Sequence, residues 1–184
     1  MKNDQPTSQE SVGAPPQSAA SRLTATAYHE AGHAVMALTL GRPIQKVTIS
    51  PAQLQTGGSR LGACRIQKGR FKASKDWLED DVLVLLAGMV AESHLTAQYC
   101  QQGAAQDLRA ARRLLANRAT SERQLARLES RLLDKAEHLL GDQVHAKAIE
   151  LIAQELLQKE TISGRAVRHL FQQALQQVSD DPPR

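Results

Sequence analysis

Aromatic residues are nearly missing from this chain. Two Phe, two Tyr and one Trp make up 3% of its 184 residues. The length suits one domain with a sizeable core, which has to be built from Leu, Ala, Val and Ile. A composition rich in Ala, Leu, Gln and Arg favours helices. Cysteine is just as scarce. Cys64 and Cys100 stand alone, outside any CxxC pair, which excludes a disulfide framework and leaves two reduced thiols. No apolar run follows a basic start, so a signal peptide is not expected. The longest apolar run, Val82 to Ala91, is half the length needed to span a bilayer and is bounded by Asp81 and Glu92. These features predict a soluble, cytoplasmic protein without a membrane segment. No G-x-x-x-x-G-K-[ST] phosphate loop occurs, and Gly57 to Gly62 lacks the required Lys. The net charge of +4 comes with no recognition motif, so nucleic acid is not an expected partner.

What the chain does contain is Tyr28-His29-Glu30-Ala31-Gly32-His33-Ala34, an HExxH pattern in a helical setting. Side chains at i and i+4 lie one turn apart on one face, so His29 and His33 can grip one metal ion together. Glu30, about a hundred degrees round the helix, can reach the fourth coordination position, where a water would sit. Two imidazole ligands and one general base suit metal-assisted hydrolysis. The same short pattern also arises by chance on solvated helices. Here the flanks oppose that reading. Leu23, Ala27, Ala31, Ala34, Val35 and Leu38 fall at helical spacing and form an apolar stripe. Gly32, costing roughly 1 kcal/mol against Ala inside a helix, points to close packing.

Catalytic zinc usually takes three protein ligands and keeps one position open. Gly103-Ala104-Ala105-Gln106-Asp107-Leu108 opens another helical stretch and offers Asp107; Glu92 is the alternative carboxylate. Beside these stand Ile44-Gln45-Lys46-Val47-Thr48-Ile49, Leu61-Gly62-Ala63, Leu86-Ala87-Gly88-Met89-Val90-Ala91-Glu92 and a closing Leu156-Leu157-Gln158-Lys159-Glu160-Thr161-Ile162-Ser163-Gly164. Together with HEAGH at 29–33 these segments, in this order, resemble the peptidase domain of the FtsH family of membrane-bound, ATP-dependent zinc metallopeptidases. The resemblance runs from about Thr24 to Leu170. It implies a mainly α fold with a small β-sheet (α+β) and one Zn2+ per chain, held by His29, His33 and Asp107, with Glu30 as catalytic base. It further implies that Glu92 supports a ligand histidine by accepting its ring N–H. The chain departs from the family pattern in two places. Met89 replaces the Arg of the family's GR-x-AE segment, and Asn117 to Arg127 replaces a G-M-S-like turn. The ATPase module and membrane segment of the family have no counterpart in these residues.

Along the chain, residues 1–21 read as a disordered leader, 22–179 as the peptidase-like domain and 180–184 as a frayed tail. The HExxH helix is predicted over Arg22 to Leu40, a strand over Ile44 to Ser50, a turn at Gly57-Gly58 and a second strand over Leu61 to Gln67. Ser74 is the expected cap of a buried central helix, and Leu108 to Lys135 the expected course of one basic helical region. Gly141-Asp142 starts a long helix through Lys159, and Thr161 or Ser163 caps a last one ending near Val178. The arginines from Arg109 to Arg131 read as a solvated face, partly paired with Glu122, Glu129 and Asp134, with a docking surface for an acidic partner as the alternative.

The expected function is a stand-alone zinc metallopeptidase acting on unfolded proteins or peptides, with polypeptide lying along an edge strand near Leu61, Gly62 and Ala63. A separate ATPase partner or a homo-oligomer would be compatible with it. The alternative is a non-proteolytic metal-binding interaction or regulatory module, and an Arg-rich nucleic-acid binder is a weaker third.

Overall fold

The computed structural model describes residues 18–53, 59–60, 62–66 and 76–180. The leader up to residue 17, Gly57-Gly58, Leu61, Ser74 and the last four residues lie outside this set.

Helix α1, Ala19–Thr39, starts at Ser18, whose side chain accepts from the Ser21 N–H. It begins three residues earlier than its apolar pattern indicated. It ends at Gly41, whose φ of 73° is a left-handed conformation that suits glycine. From His29 to Ala37 every residue of α1 is buried. The expected single apolar stripe is therefore only part of the picture: α1 is enclosed by α2, α5 and the sheet. Leu23, placed in that stripe, is exposed. Helix α2, Trp77–Thr96, is the second buried helix. Its cap is Asp76, whose side chain accepts from the Glu79 N–H at 3.0 Å. Among the described residues, the largest fully buried side chains are Leu, Ile, Val and Met36, with no aromatic among them.

Strand β1, Ile44–Thr48, is the centre of a three-stranded antiparallel sheet in the order β4-β1-β5. Here β4 is Ala63–Ile66 and β5 is Thr161–Ser163; Val47 faces Cys64 on one side and Ile162 on the other. A two-residue pair, β2 (Ala52–Gln53) with β3 (Ser59–Arg60), forms a separate ribbon. The edge strand β5 was not anticipated. Thr161-Ile162-Ser163 is only long enough for one inward side chain, so its alternation carries little signal. Ser163 nonetheless serves as expected at the start of the last helix, α6 (Gly164–Asp180), where its Oγ accepts from the Ala166 N–H.

One expected basic helix is in fact two: α3, Ala105–Leu115, and α4, Glu122–Leu140. The break has a local cause. Ser121 Oγ accepts from the Gln124 N–H, while Gln124 Oε1 accepts from the Thr120 N–H at 2.8 Å. This S-x-x-Q arrangement, with Gln124 reaching back to the residue before the cap, starts a new helix. The basic groups then tie α3 and α4 to the start of α2: Arg118 to Asp76, and Arg131 and Lys135 to Glu79. Arg112 pairs with Glu122 and Glu129. Helix α5, Gln143–Lys159, begins at the Asp142 cap as the sequence indicated.

Candidate metal centre

His29 and His33 stand one turn apart on α1, with ring centroids 4.7 Å apart and the rings nearly perpendicular. Asp107, in the first turn of α3, enters between them. Its Oδ2 is 3.1 Å from His29 Nε2 and 3.4 Å from His33 Nε2. One ligand atom from each of the three residues lies within 4.8 Å of the others. No other group of this kind occurs among the described residues.

The opposite ring nitrogens decide what these atoms can do. His33 Nδ1 is 2.7 Å from the Val84 carbonyl oxygen, and His29 Nδ1 is 3.2 Å from Glu92 Oε2. A carbonyl or carboxylate oxygen can only accept, so each Nδ1 carries its hydrogen and each neutral ring turns a lone pair outward at Nε2. Two lone pairs then converge on a carboxylate. Buried His33 Nε2 has no well-formed hydrogen bond. Three acceptors in one place call for a cation or a proton among them. The protein's own electrostatics register this demand. Burial disfavours charge on His29, but hydrogen bonds with Asp107 and Glu92 and the charges of Glu30 and Asp107 outweigh it, raising its pKa to about 9. Asp107 is held below the usual carboxylate range: burial acts to raise it, and its contacts with His29 and His33 win.

The donor set fits zinc. Tetrahedral ligands at zinc's usual bond lengths stand about 3.3 Å from one another, which the 3.1 and 3.4 Å separations match. The approach of α2 leaves room for an ion only because Gly88 has no side chain. A Cβ there would lie 2.6 Å from both Nε2 atoms. Gly32 plays the complementary part on α1, since a Cβ would meet the Ala87 carbonyl oxygen and Ala91 Cβ at 2.5 Å. The close packing read from Gly32 is thus the contact of α1 with α2.

Glu30 is buried against Gly62, where a Cβ would come within 2.5 Å of its Oε1. Glu92 and Asp107 occupy opposite nitrogens of the same ring, so only Asp107 faces both Nε2 atoms. Ala63 opens β4, an edge strand of its sheet; Leu61 is outside the described residues. A cleft of about 540 Å³ opens onto His29, Glu30, Glu92 and Asp107 and reaches Gly62, with Arg22 and Arg109 also in its lining. The sequence reading gave no site role to Gly88, the Val84 carbonyl or Arg22, and placed Arg109 on a basic helix face. Gly88 had a visible signal, as a glycine inside the apolar run of a helix. His145 is a packed residue, bonded to Thr39 and the Leu139 carbonyl.

Comparison with known proteins follows the same lines. The profile of peptidase family M41 matches residues 17–122. The chain is 29% identical over 187 residues to ATP-dependent zinc metalloprotease FtsH 1 of Thermomicrobium roseum, covering 79% of this chain and 28% of that protein. It is also 29% identical to ATP-dependent zinc metalloprotease FtsH of Acidimicrobium ferrooxidans, covering 80% and 28%. Over a shorter stretch of 93 residues it is 40% identical to the FtsH protein of Protochlamydia amoebophila, covering 48% and 10%. The chain therefore spans less than a third of the length of these relatives. Among the described residues no helix is long and apolar enough to cross a membrane.

Proposed function

The chain belongs to peptidase family M41, and from that membership we propose that it is a zinc metallopeptidase hydrolysing peptide bonds of unfolded proteins or peptides. The observation that carries this reading is the convergence of His29 Nε2, His33 Nε2 and Asp107 Oδ2, with both Nδ1 atoms already donating. These three residues would hold one zinc ion per chain. Bound there, zinc supplies a Lewis acid for the scissile carbonyl and for a water. Glu30 takes the proton of the attacking water and passes it to the leaving amine. Glu92 keeps His29 in the tautomer that offers Nε2. Strand β4, at the edge of its sheet among the described residues and beginning beside Gly62 and Glu30, supplies backbone groups to an extended substrate. The unit carrying this activity runs from about residue 22 to 179.

Substrates are segments already exposed, because opening a folded domain costs on the order of 5–15 kcal/mol and these residues contain no phosphate loop to couple ATP to it. A partner ATPase or a homo-oligomer would widen the range. The test is zinc analysis and casein digestion with the unaltered chain, Glu30→Gln, His33→Ala and Asp107→Ala. The chain and Glu30→Gln should each hold about one zinc, the other two none. Only the unaltered chain should digest casein, with or without ATP. Absence of zinc, with no stabilisation on adding it, refutes the metal centre. Zinc without any cleavage favours the interaction-module alternative.

A further inference from the structure

The charges of the cleft are sorted by depth. Its carboxylates are turned inward: Asp107 lies on both imidazoles, Glu92 lies on His29, and Glu30 is buried. Its cationic side chains are outside. Arg22 and Arg109 line the same cleft and are exposed. Arg22 and Arg109 have no ion-pair partner among the described residues, so their charge is available to a ligand in the cleft. Their positions along the helices are not arbitrary. Arg22 precedes His29 by two helical turns and so lies on the same face of α1. Arg109 lies on α3, and it and Asp107 both line the cleft. The two helices that provide the converging ligand atoms thus each add one arginine to the cleft lining, neither with an ion-pair partner among the described residues.

We infer that Arg22 and Arg109 form a carboxylate-selecting rim, so that the enzyme prefers polypeptide carrying Asp or Glu side chains close to the scissile bond. The inference rests on the peptidase reading above. Two turns of α-helix span about 10 Å, which corresponds to about three residues of extended chain. The acidic side chain is therefore expected within about three residues of the cleaved bond. Guanidinium groups suit this role because their planar forks match carboxylates in a bidentate geometry. Each pair would be solvent-exposed, so two together should give a preference of only about threefold to tenfold, weakening as salt rises.

The experiment uses a fluorescent twelve-residue peptide of fixed sequence, with either Glu or Gln at its central positions and with its C-terminus free or amidated. Binding is measured by anisotropy to full-length Glu30→Gln protein with added zinc, and kcat/KM is measured with the unaltered chain. The Glu peptide should bind about threefold to tenfold more tightly, and the kcat/KM ratio should follow. The Arg22→Gln/Arg109→Gln double variant should erase the preference, and Arg22→Glu/Arg109→Glu should reverse it, with zinc content showing that the centre survives. Equal binding of the two peptides, binding of neither, or a preference that persists in the double variant overturns the rim. So does a preference that follows the free C-terminus instead of the side chain. If the Glu peptide binds more tightly through these arginines but nothing is cleaved, the rim stands and the peptidase reading falls.

Discussion

Replacing Gly88 by alanine puts a methyl group 2.6 Å from the Nε2 of both His29 and His33 and 2.7 Å from His33 Cε1. Carbon and nitrogen in van der Waals contact stand roughly 3.5 Å apart, so each ring would have to retreat by nearly 1 Å. His33 has little freedom to do so. Its Nδ1–H is bonded to the Val84 carbonyl, one turn away on the same helix as the new methyl. Metal sites tolerate departures of only about 0.2 Å in ligand distance. The expected result is a fall in zinc affinity beyond the 10- to 100-fold typical of losing a supporting hydrogen bond. Overpacking of this kind costs about 1–3 kcal/mol, which for a domain of this size lowers Tm by roughly 2–12 °C, and the protein should remain folded. Zinc titration with a competing chelator, alongside circular dichroism, reads both quantities. Gly41→Ala is the comparison, since a Cβ at Gly41 meets nothing within 4 Å and only the backbone objects. If folded Gly88→Ala protein binds zinc within threefold of the unaltered chain, the ion does not sit between these two nitrogens.

Gly62→Ala should displace the Glu30 carboxylate and lower hydrolysis while zinc content stays constant; loss of zinc instead would mean that Gly62 shapes the ligands and not the base. Glu92→Gln should weaken zinc binding about 10- to 100-fold without abolishing it; if Glu92→Ala removes zinc and Asp107→Ala does not, the carboxylates have exchanged roles. Asp76 is held at about 2, below its usual 3.8, by hydrogen bonds from Arg118 and the Glu79 N–H. The folded state thus binds fewer protons than the unfolded one between those values, so this stabilisation is complete above pH 4 and disappears as pH falls through 2. Thermal melts of Asp76→Asn and the unaltered chain should differ by a constant amount near neutral pH and converge as pH falls from 4 through 2; a difference undiminished over that range refutes the assignment.

The parts of the fold that could be read from the chain are those where one short pattern has one physical outcome. A GRP stop ended α1, Gly141-Asp142 opened α5, and the near-absence of aromatics foretold a core of small and branched aliphatic residues. Two errors have different causes. Ser121 and Gln124 interrupt the basic stretch with a helix start, yet the evenly spaced arginines and leucines on either side masked it. Strand β5 is set by pairing with β1, a tertiary cause that three residues cannot announce. The pairing of the arginines is tertiary in the same way. Glu122 and Glu129 were named as partners, but both reach Arg112 across the break between α3 and α4. Asp76 and Glu79 meet Arg118, Arg131 and Lys135 only because the α3–α4 connection and α4 pack against the start of α2.

The metal centre was within reach of the sequence to a greater depth than the HExxH pattern suggests. Helix α2 supplies none of the three converging atoms, but Val84, Gly88 and Glu92 recur every four residues and so lie along one face. His29 and His33 form the matching row on α1. The contacts pair His33 with Val84 and His29 with Glu92, with Gly88 against both rings. The pairing runs in opposite senses along the two chains, so α1 and α2 cross with antiparallel directions, and Gly32 brings them together at Ala87 and Ala91. Each element of the α2 row has a separate requirement: an acceptor for one Nδ1–H, no side chain beside the two Nε2 atoms, and an acceptor for the second Nδ1–H. A helix that must meet two imidazoles one turn apart has to satisfy all three at a spacing of four. The search that follows an HExxH helix should therefore include an apolar helix with a glycine midway between two acceptors eight residues apart, because those residues determine which ring nitrogens are left to bind.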